Sequence, residues 1–246
     1  QPLELARSVS EKVRQLKEKD EIVDYLAFVP DGEPTLDINL GKEIELLRDL
    51  GIKIAVITNS SLLRYEDVRR DLLKADWVSL KVDAVTPQVW HSINRPYKYM
   101  KLEVVLEGMA DFAGVFKGQL TTETMLVKGI NDNPGEVSGI AAFISEIKPA
   151  KSYLSVPTRP PAERIEPPTE QDLNNAYQVF SKKLNRVEYL IGYEGNSFTS
   201  TGNAANDLLS ITAVHPMRED AVAVLLNRPG TACDTLQKLI DNGSLV

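Results

Sequence analysis

The chain has 246 residues, 28 of them basic and 35 acidic, for a formal charge of −7, and 43% are apolar. That length supports one large domain, or one with a small appendage, and a core that needs no disulfide or metal staple. No apolar run approaches the roughly 18 residues that span a bilayer, the charged helical start is no signal peptide, and the lone cysteine, Cys233, excludes a disulfide framework and fits a reducing cytoplasm. His91, His215 and Cys233 stand far apart, too few and too scattered for a self-contained zinc or iron–sulfur site. The acidic balance argues against broad nucleic-acid binding, which needs clustered Lys and Arg.

Helix and strand patterns alternate along the chain. Val9, Val13 and Leu16 form a helical stripe. Ile22 to Val29 is an almost continuous apolar run, expected as a strand covered on both faces. Leu40 to Leu50 reads as a helix closed by Gly51, and Ile52 to Ile57 as the next strand. A charged helix from Tyr65 to Lys74 and a strand from Asp76 to Val82 follow. Thr86-Pro87 reads as a cap and first-turn proline of a short helix, and a longer helix runs from Lys101 to Phe116. Then come a strand from Gln119 to Val127, a helix from Asn133-Pro134 to Lys148, and a strand from Ser152 to Val156. A Pro-rich loop over 157–168, a helix capped by Thr169, and a strand from Val187 to Ile191 complete the series. Beyond residue 200 three short helical patterns, Asn206 to Val214, Arg218 to Leu226 and Thr231 to Leu239, form a second domain over 201–246. Its close, LIDNGSLV, resembles the recognition helix and first wing of a winged helix; with no basic excess, it reads as an interaction or structural module.

Six strands with helices between them define an α/β fold with parallel pairing, either an open wound sheet or a barrel. Asp76 to Asp83 favours a barrel. Trp77, Ser79, Lys81 and Asp83 share one face, and Val78, Leu80 and Val82 the other. A polar face opposite an apolar one suits a lumen that holds a polar ligand; an edge strand with one wet face is the alternative. Gln119, Thr121 and Glu123 alternate likewise with Leu120, Thr122 and Thr124, and Ser155 lies between Leu154 and Val156.

Polar or glycine-rich residues stand at five successive strand ends, where α/β folds bind ligands. They are Asp31-Gly32-Glu33-Pro34-Thr35-Leu36; Thr58-Asn59-Ser60-Ser61; Ser79, Lys81 and Asp83; Gly129 and Asn131 in MLVKGIND; and Arg159 in SVPTRPP. A glycine at such a tip lets backbone approach a ligand, and a glutamate there can meet an ammonium group. Taken singly, each motif is also compatible with a solvated turn.

GEPTL, TNSS, VSLKVDA, Asn94-Arg95-Pro96 and VKGIND, in this order, resemble the radical S-adenosylmethionine (SAM) superfamily. Within it they are similar to the branch that includes the archaeal wyosine (tRNA imidazoguanosine) synthases. The resemblance implies a partial (β/α)6 TIM-like barrel over residues 1–200, SAM and a 4Fe–4S cluster as cofactors, and an electron donor such as ferredoxin or flavodoxin. It also implies reductive cleavage of SAM to a 5′-deoxyadenosyl radical, which takes hydrogen from a substrate the sequence does not name. The superfamily's CxxxCxxC loop is missing. A start at Gln rather than Met leads to the expectation that this loop and the first barrel strand lie before Gln1. Residues 1–246 by themselves are then expected to hold no cluster and to be inactive.

Residue by residue, the resemblance gives the backbone of Gly32, Glu33 and Pro34 to the SAM ammonium. Thr58 and Asn59 fall beside the methionine or ribose, Ser79 beside the ribose hydroxyls or carboxylate, and Gly129 and Asn131 near the adenine. Lys81, with Asp83 as partner on its face, becomes a carboxylate clamp, substrate contact or proton donor, or else a plain salt bridge. Glu123, Ser155 and Arg159 become substrate-side residues. A tRNA substrate, a cluster-free binding or scaffold protein, and a lyase with Lys81 as Schiff base stay open as alternatives.

Overall fold

The computed structural model describes residues 1–29, 32–157, 165–190, 204–212, 217, 219–226 and 235–245. Six strands, β1 (Tyr25–Phe28), β2 (Lys53–Thr58), β3 (Trp77–Lys81), β4 (Gln119–Met125), β5 (Lys151–Ser155) and β6 (Val187–Leu190), form one parallel sheet. Their spatial order is β1-β2-β3-β4-β5-β6. A doubly wound sheet reverses order at a switch point. Here the order never reverses, so successive right-handed crossovers place every connecting helix on the same face. The sheet is the wall of a partial barrel, as the sequence leads one to expect.

The helices are α1 (Pro2–Lys17), α2 (Leu40–Arg48), α3 (Glu66–Leu72), α4 (Pro87–Asn94), α5 (Leu102–Val115), α6 (Pro134–Ile147) and α7 (Glu170–Lys183), followed by α8 (Ala204–Thr212), α9 (Glu219–Leu226) and α10 (Thr235–Asp241). Residues 1–6, 24–29 and 33–190 form one compact unit; 7–23 group with the described residues beyond 203 as a second. In the second unit Leu208, Val222, Leu225 and Leu239 make a small core, and Lys12 lies 3.8 Å from the buried Asp207. The expected wing is not a strand: the amides of Ser244 and Leu245 both donate to the Leu239 carbonyl, closing a turn.

Register separates the faces of the barrel wall. Val56, Val78 and Leu120 align, and so do Thr58, Leu80, Thr122 and Ser152. This face carries the apolar core, with Ile54, Val56, Val78 and Leu80 fully buried. Its hydroxyls are satisfied locally: Thr122 Oγ1 donates to Ser152 Oγ at 2.8 Å, and Thr124 Oγ1 to the Val82 carbonyl at 2.8 Å. Ser79 aligns with Thr121, and Lys81 with Glu123, on the opposite face.

β1 departs from the expectation. Ile22 to Val29 pairs only over Tyr25–Phe28, and Ile22 is 87% exposed. Among the described residues β1 pairs on one side only, with β2, so its apolar run is half exposed rather than covered.

Candidate functional site at the strand carboxyl ends

Glu33 stands in the loop after β1, at the start of a tight turn over Pro34–Leu36. It is 7% exposed and its carboxylate is surrounded by donors. Oε1 accepts from Thr35 N at 3.1 Å, Thr35 Oγ1 at 2.7 Å and Thr58 Oγ1 at 2.5 Å; Oε2 accepts from Asn59 N at 2.6 Å. Thr58 Oγ1 in turn accepts from Ser60 N at 3.0 Å. The carboxylate therefore ties the loop after β1 to the loop after β2, with three donors on Oε1 and one on Oε2. A direct contact of this side chain with an ammonium group, which the sequence allows, has acceptor capacity only at Oε2, which takes a single hydrogen bond. Thr58 lies on the helix-side face, and its hydroxyl is likewise engaged. Gly32 precedes the brace. It is exposed, and nothing lies within 4 Å of where a Cβ would stand.

A second cluster occupies the other face. Lys81 Nζ lies 3.3 Å from Glu123 Oε1 and 3.7 Å from Asp83 Oδ1. Ser155 Oγ donates to the same Glu123 oxygen at 2.8 Å. Asp83 Oδ1 accepts from Met125 N at 2.8 Å, and Oδ2 from Asn94 Nδ2 at 3.0 Å. Burial pushes the Asp83 carboxyl up, against the Lys81 charge and the two hydrogen bonds. Burial works against the Lys81 ammonium, but the charges of Asp83 and Glu123 outweigh it and hold its pKa above the ordinary lysine value. The Lys81 side chain keeps 27% of its exposure although burial weighs on its ammonium. Ser79 is buried two residues back along the same face of β3.

The loop after β4 is built by Asn131. Its Oδ1 accepts from Val127 N at 2.7 Å, and Nδ2 donates to the carbonyls of Asp83 at 2.9 Å and Met125 at 2.8 Å. Its polar atoms are thus committed to the protein, and any service to a ligand is through the loop they hold. Gly129, exposed at φ +71°, makes the bend that a side chain rarely adopts. Glu136, which sequence reasoning missed, ties β3 to α6. Its Oε1 accepts from Val85 N at 2.6 Å and Thr86 N at 3.0 Å, and its Oε2 from Thr86 Oγ1 at 2.9 Å. Asn133 and Glu136 have the spacing of a capping box, and Asn133 does cap α6. Glu136 reaches instead across 50 residues of sequence to the start of α4, where Thr86 makes no side-chain cap bond of its own.

The structure thus brings Lys81, Asp83, Glu123 and Ser155 together, and separately Glu33, Thr58 and the Asn59 backbone. Arg159, His215 and Cys233 lie outside the described residues. His91 is exposed, its Nδ1 donating to the Pro87 carbonyl at 2.7 Å. Two implied groups meet different fits. On the polar face of the sheet, the Lys81 cation beside Glu123 and Asp83 has the charge to meet a carboxylate, which SAM carries. A 4Fe–4S cluster does not fit: the chain has one cysteine, and among the described residues no group of three His, Cys, Asp or Glu could hold a metal ion.

Comparison with known proteins agrees with the architecture. The profile of the Radical SAM superfamily matches residues 2–138. The chain is 44% identical over 248 residues to the UPF0026 protein MJ1312 of Methanocaldococcus jannaschii, covering 100% of this chain and 77% of that protein. Among solved structures, a radical SAM methyltransferase from Sphaerobacter thermophilus is similar with a TM-score of 0.60 and 16% identity, over 77% of this chain and 57% of that one. Streptococcus suis SuiB bound to S-adenosylmethionine is similar with a TM-score of 0.58 and 13% identity, over 81% and 48%. At such identities these two speak for the fold alone. No helix of the described residues is long and apolar enough to cross a membrane. With the superfamily profile matching more than half of its length, the chain belongs to the radical SAM superfamily.

Proposed function

We propose that the protein is a radical SAM enzyme whose cofactor and substrate meet over the carboxyl ends of β1 to β5. The observation that carries the reading is the Lys81–Glu123–Asp83 group, a cation held between two carboxyls on the polar face. In this superfamily bound SAM is the source of the group that takes hydrogen from the substrate. The backbone of Gly32, Glu33 and Pro34 receives the SAM ammonium, fixed in place by the Glu33 carboxylate. Asn59 and Ser79 line the methionine and ribose side, Thr58 supporting from behind, and Gly129 and Asn131 shape the adenine side. Lys81 clamps a carboxylate or places a proton, oriented by Asp83 and Glu123, and Ser155 fixes the Glu123 oxygen that faces it. Arg159 is assigned to the substrate side. No step is derived through an iron–sulfur cluster, because these residues supply no ligands for one. An electron donor of ferredoxin or flavodoxin type and a cytoplasmic location belong to the same proposal. A tRNA substrate of wyosine-synthase kind is the weaker reading, given the net charge of −7 and the single cysteine.

The test is SAM binding by calorimetry in the protein as encoded, with iron and sulfide reconstituted under argon. Gly32→Val is expected to abolish SAM binding with little change in thermal midpoint, since its side chain meets only open space in the protein itself. Equal affinity in wild type and variant would sink the assignment.

A further inference from the structure

Asn94-Arg95-Pro96 is a motif to which the proposed site gives no role, and it stands where α4 ends against the polar cluster. Asn94 is the last residue of α4, and Arg95 after it turns the chain at φ +45° and ψ +55°. That left-handed turn is costly for a residue other than glycine. The Asn94 amide meets Asp83: Nδ2 donates to Oδ2 at 3.0 Å. Its own Oδ1 is buried without a partner. A carboxylate oxygen only accepts, so the amide must turn its NH2 toward Asp83 and leave Oδ1 unanswered. Two costs, a strained turn and an orphaned acceptor, thus meet at the residue that donates to Asp83, and costs of this kind gather at functional sites. Asp83 is 3% exposed. Its Oδ1 accepts from Met125 N at 2.8 Å and lies 3.7 Å from Lys81 Nζ, whereas Oδ2 has Asn94 alone among the described residues. Burial pushes the Asp83 carboxyl up and the Glu123 charge adds to it, while the Lys81 charge, the Met125 amide and the Asn94 amide act against both. α4 is fastened at its other end as well, since Glu136 accepts from the amides of Val85 and Thr86 at 2.6 and 3.0 Å. The helix is a fixed arm that delivers the Asn94 amide to Asp83.

We infer that Asn94 is a positioning residue for the Lys81 cation: its amide fixes Asp83 as the anion that faces Lys81 Nζ. Asn94 acts through Asp83 and needs no contact with a ligand. The inference rests on the proposed role of Lys81, so its first readout is independent of turnover. Residues 1–246, isotopically labelled at the aspartate carboxyl carbons, are titrated by NMR, the Asp83 signal being assigned by its loss in Asp83→Asn. Removing the donor disfavours the charged carboxylate, so in Asn94→Ala the Asp83 signal should titrate at higher pH than in wild type. Asn94→Ser, which keeps a hydrogen-bond donor, should lie between the two. Thermal unfolding checks that each variant is folded. The second readout is 5′-deoxyadenosine release per folded molecule in the reconstituted protein as encoded. Asn94→Ala should lower release by about threefold or more near neutral pH, and should move the acid limb of the pH profile upward in step with the Asp83 titration. The same change should add nothing in an Asp83→Asn background, where the group it acts through is already neutral. An Asp83 signal that titrates alike in wild type and Asn94→Ala overturns the inference, whatever release does. So does a loss of release that persists in the Asp83→Asn background, since Asn94 would then act elsewhere. A shifted Asp83 titration with wild-type release in Lys81→Met overturns the reading of Lys81 instead, and with it the purpose given to Asn94.

Discussion

Glu33 and the Asp83–Glu123 pair stand at the carboxyl ends of one sheet and use their carboxylates in opposite ways. Glu33 accepts from four donors in two loops, and among the described residues it has no ion pair. Asp83 and Glu123 share one lysine, whose side chain keeps about a quarter of its exposure. The first arrangement spends its carboxylate mainly on holding backbone and hydroxyls of two loops. The second keeps a charged side chain poised at a cost in burial. An acid near a strand tip is therefore a ligand contact only when its lone pairs remain free, and sequence position alone does not decide that.

The contrast can be broken most sharply at Glu33. Glu33→Leu leaves the amides of Thr35 and Asn59 and the hydroxyls of Thr35 and Thr58 without their acceptor, and should cost about 4 kcal/mol at about one per donor. Urea unfolding measures it. A loss under 1 kcal/mol would show that the brace is not structural. Gly108→Ala comes next: its methyl overlaps the backbone of Leu63 and Arg64, and about 3 kcal/mol is expected from the same experiment.

Lys81→Met tests the other side of the contrast. It strands Asp83 without its cation, and about 2 kcal/mol is expected, less than for a fully buried pair because Lys81 is a quarter exposed. The pH dependence has a definite sign. Lys81 has a folded pKa above its ordinary value, so its contribution is present below about pH 10.4 and fades as pH rises through the folded value. The stability gap between wild type and Lys81→Met should therefore narrow above pH 10.4. The smallest effect is Ser60→Gly, which removes the strain of φ +67° and should stabilise by about 1 kcal/mol.

Much of the barrel was legible because its strands obey period two. In residues 77–83 one register decides seven orientations, and the contacts of Lys81 with Glu123 agree with the odd positions lining the lumen. The caps at Asn133 and Thr169 were equally plain, since their partners lie three residues away. β1 misled because apolar content does not report how much of a run pairs or is covered: only Tyr25–Phe28 pair, and alternate residues of that stretch are exposed. The engagement of Glu33, Asn131 and Glu136 was not legible for a related reason. Glu33 binds residues 25 and 26 positions away, and Glu136 binds residues 50 and 51 away. A carboxylate that braces two loops and one that greets a ligand have the same letter in the sequence.

The most direct test of the central claim counts 5′-deoxyadenosine released from SAM under reduction, per folded molecule, in wild type and Lys81→Met of the reconstituted protein as encoded. If the lumen cation serves SAM or substrate, release falls at least tenfold, which is about 1.4 kcal/mol of transition-state stabilisation. Release equal to wild type, with only stability reduced, would contradict the account and leave Lys81 a salt bridge between two strands.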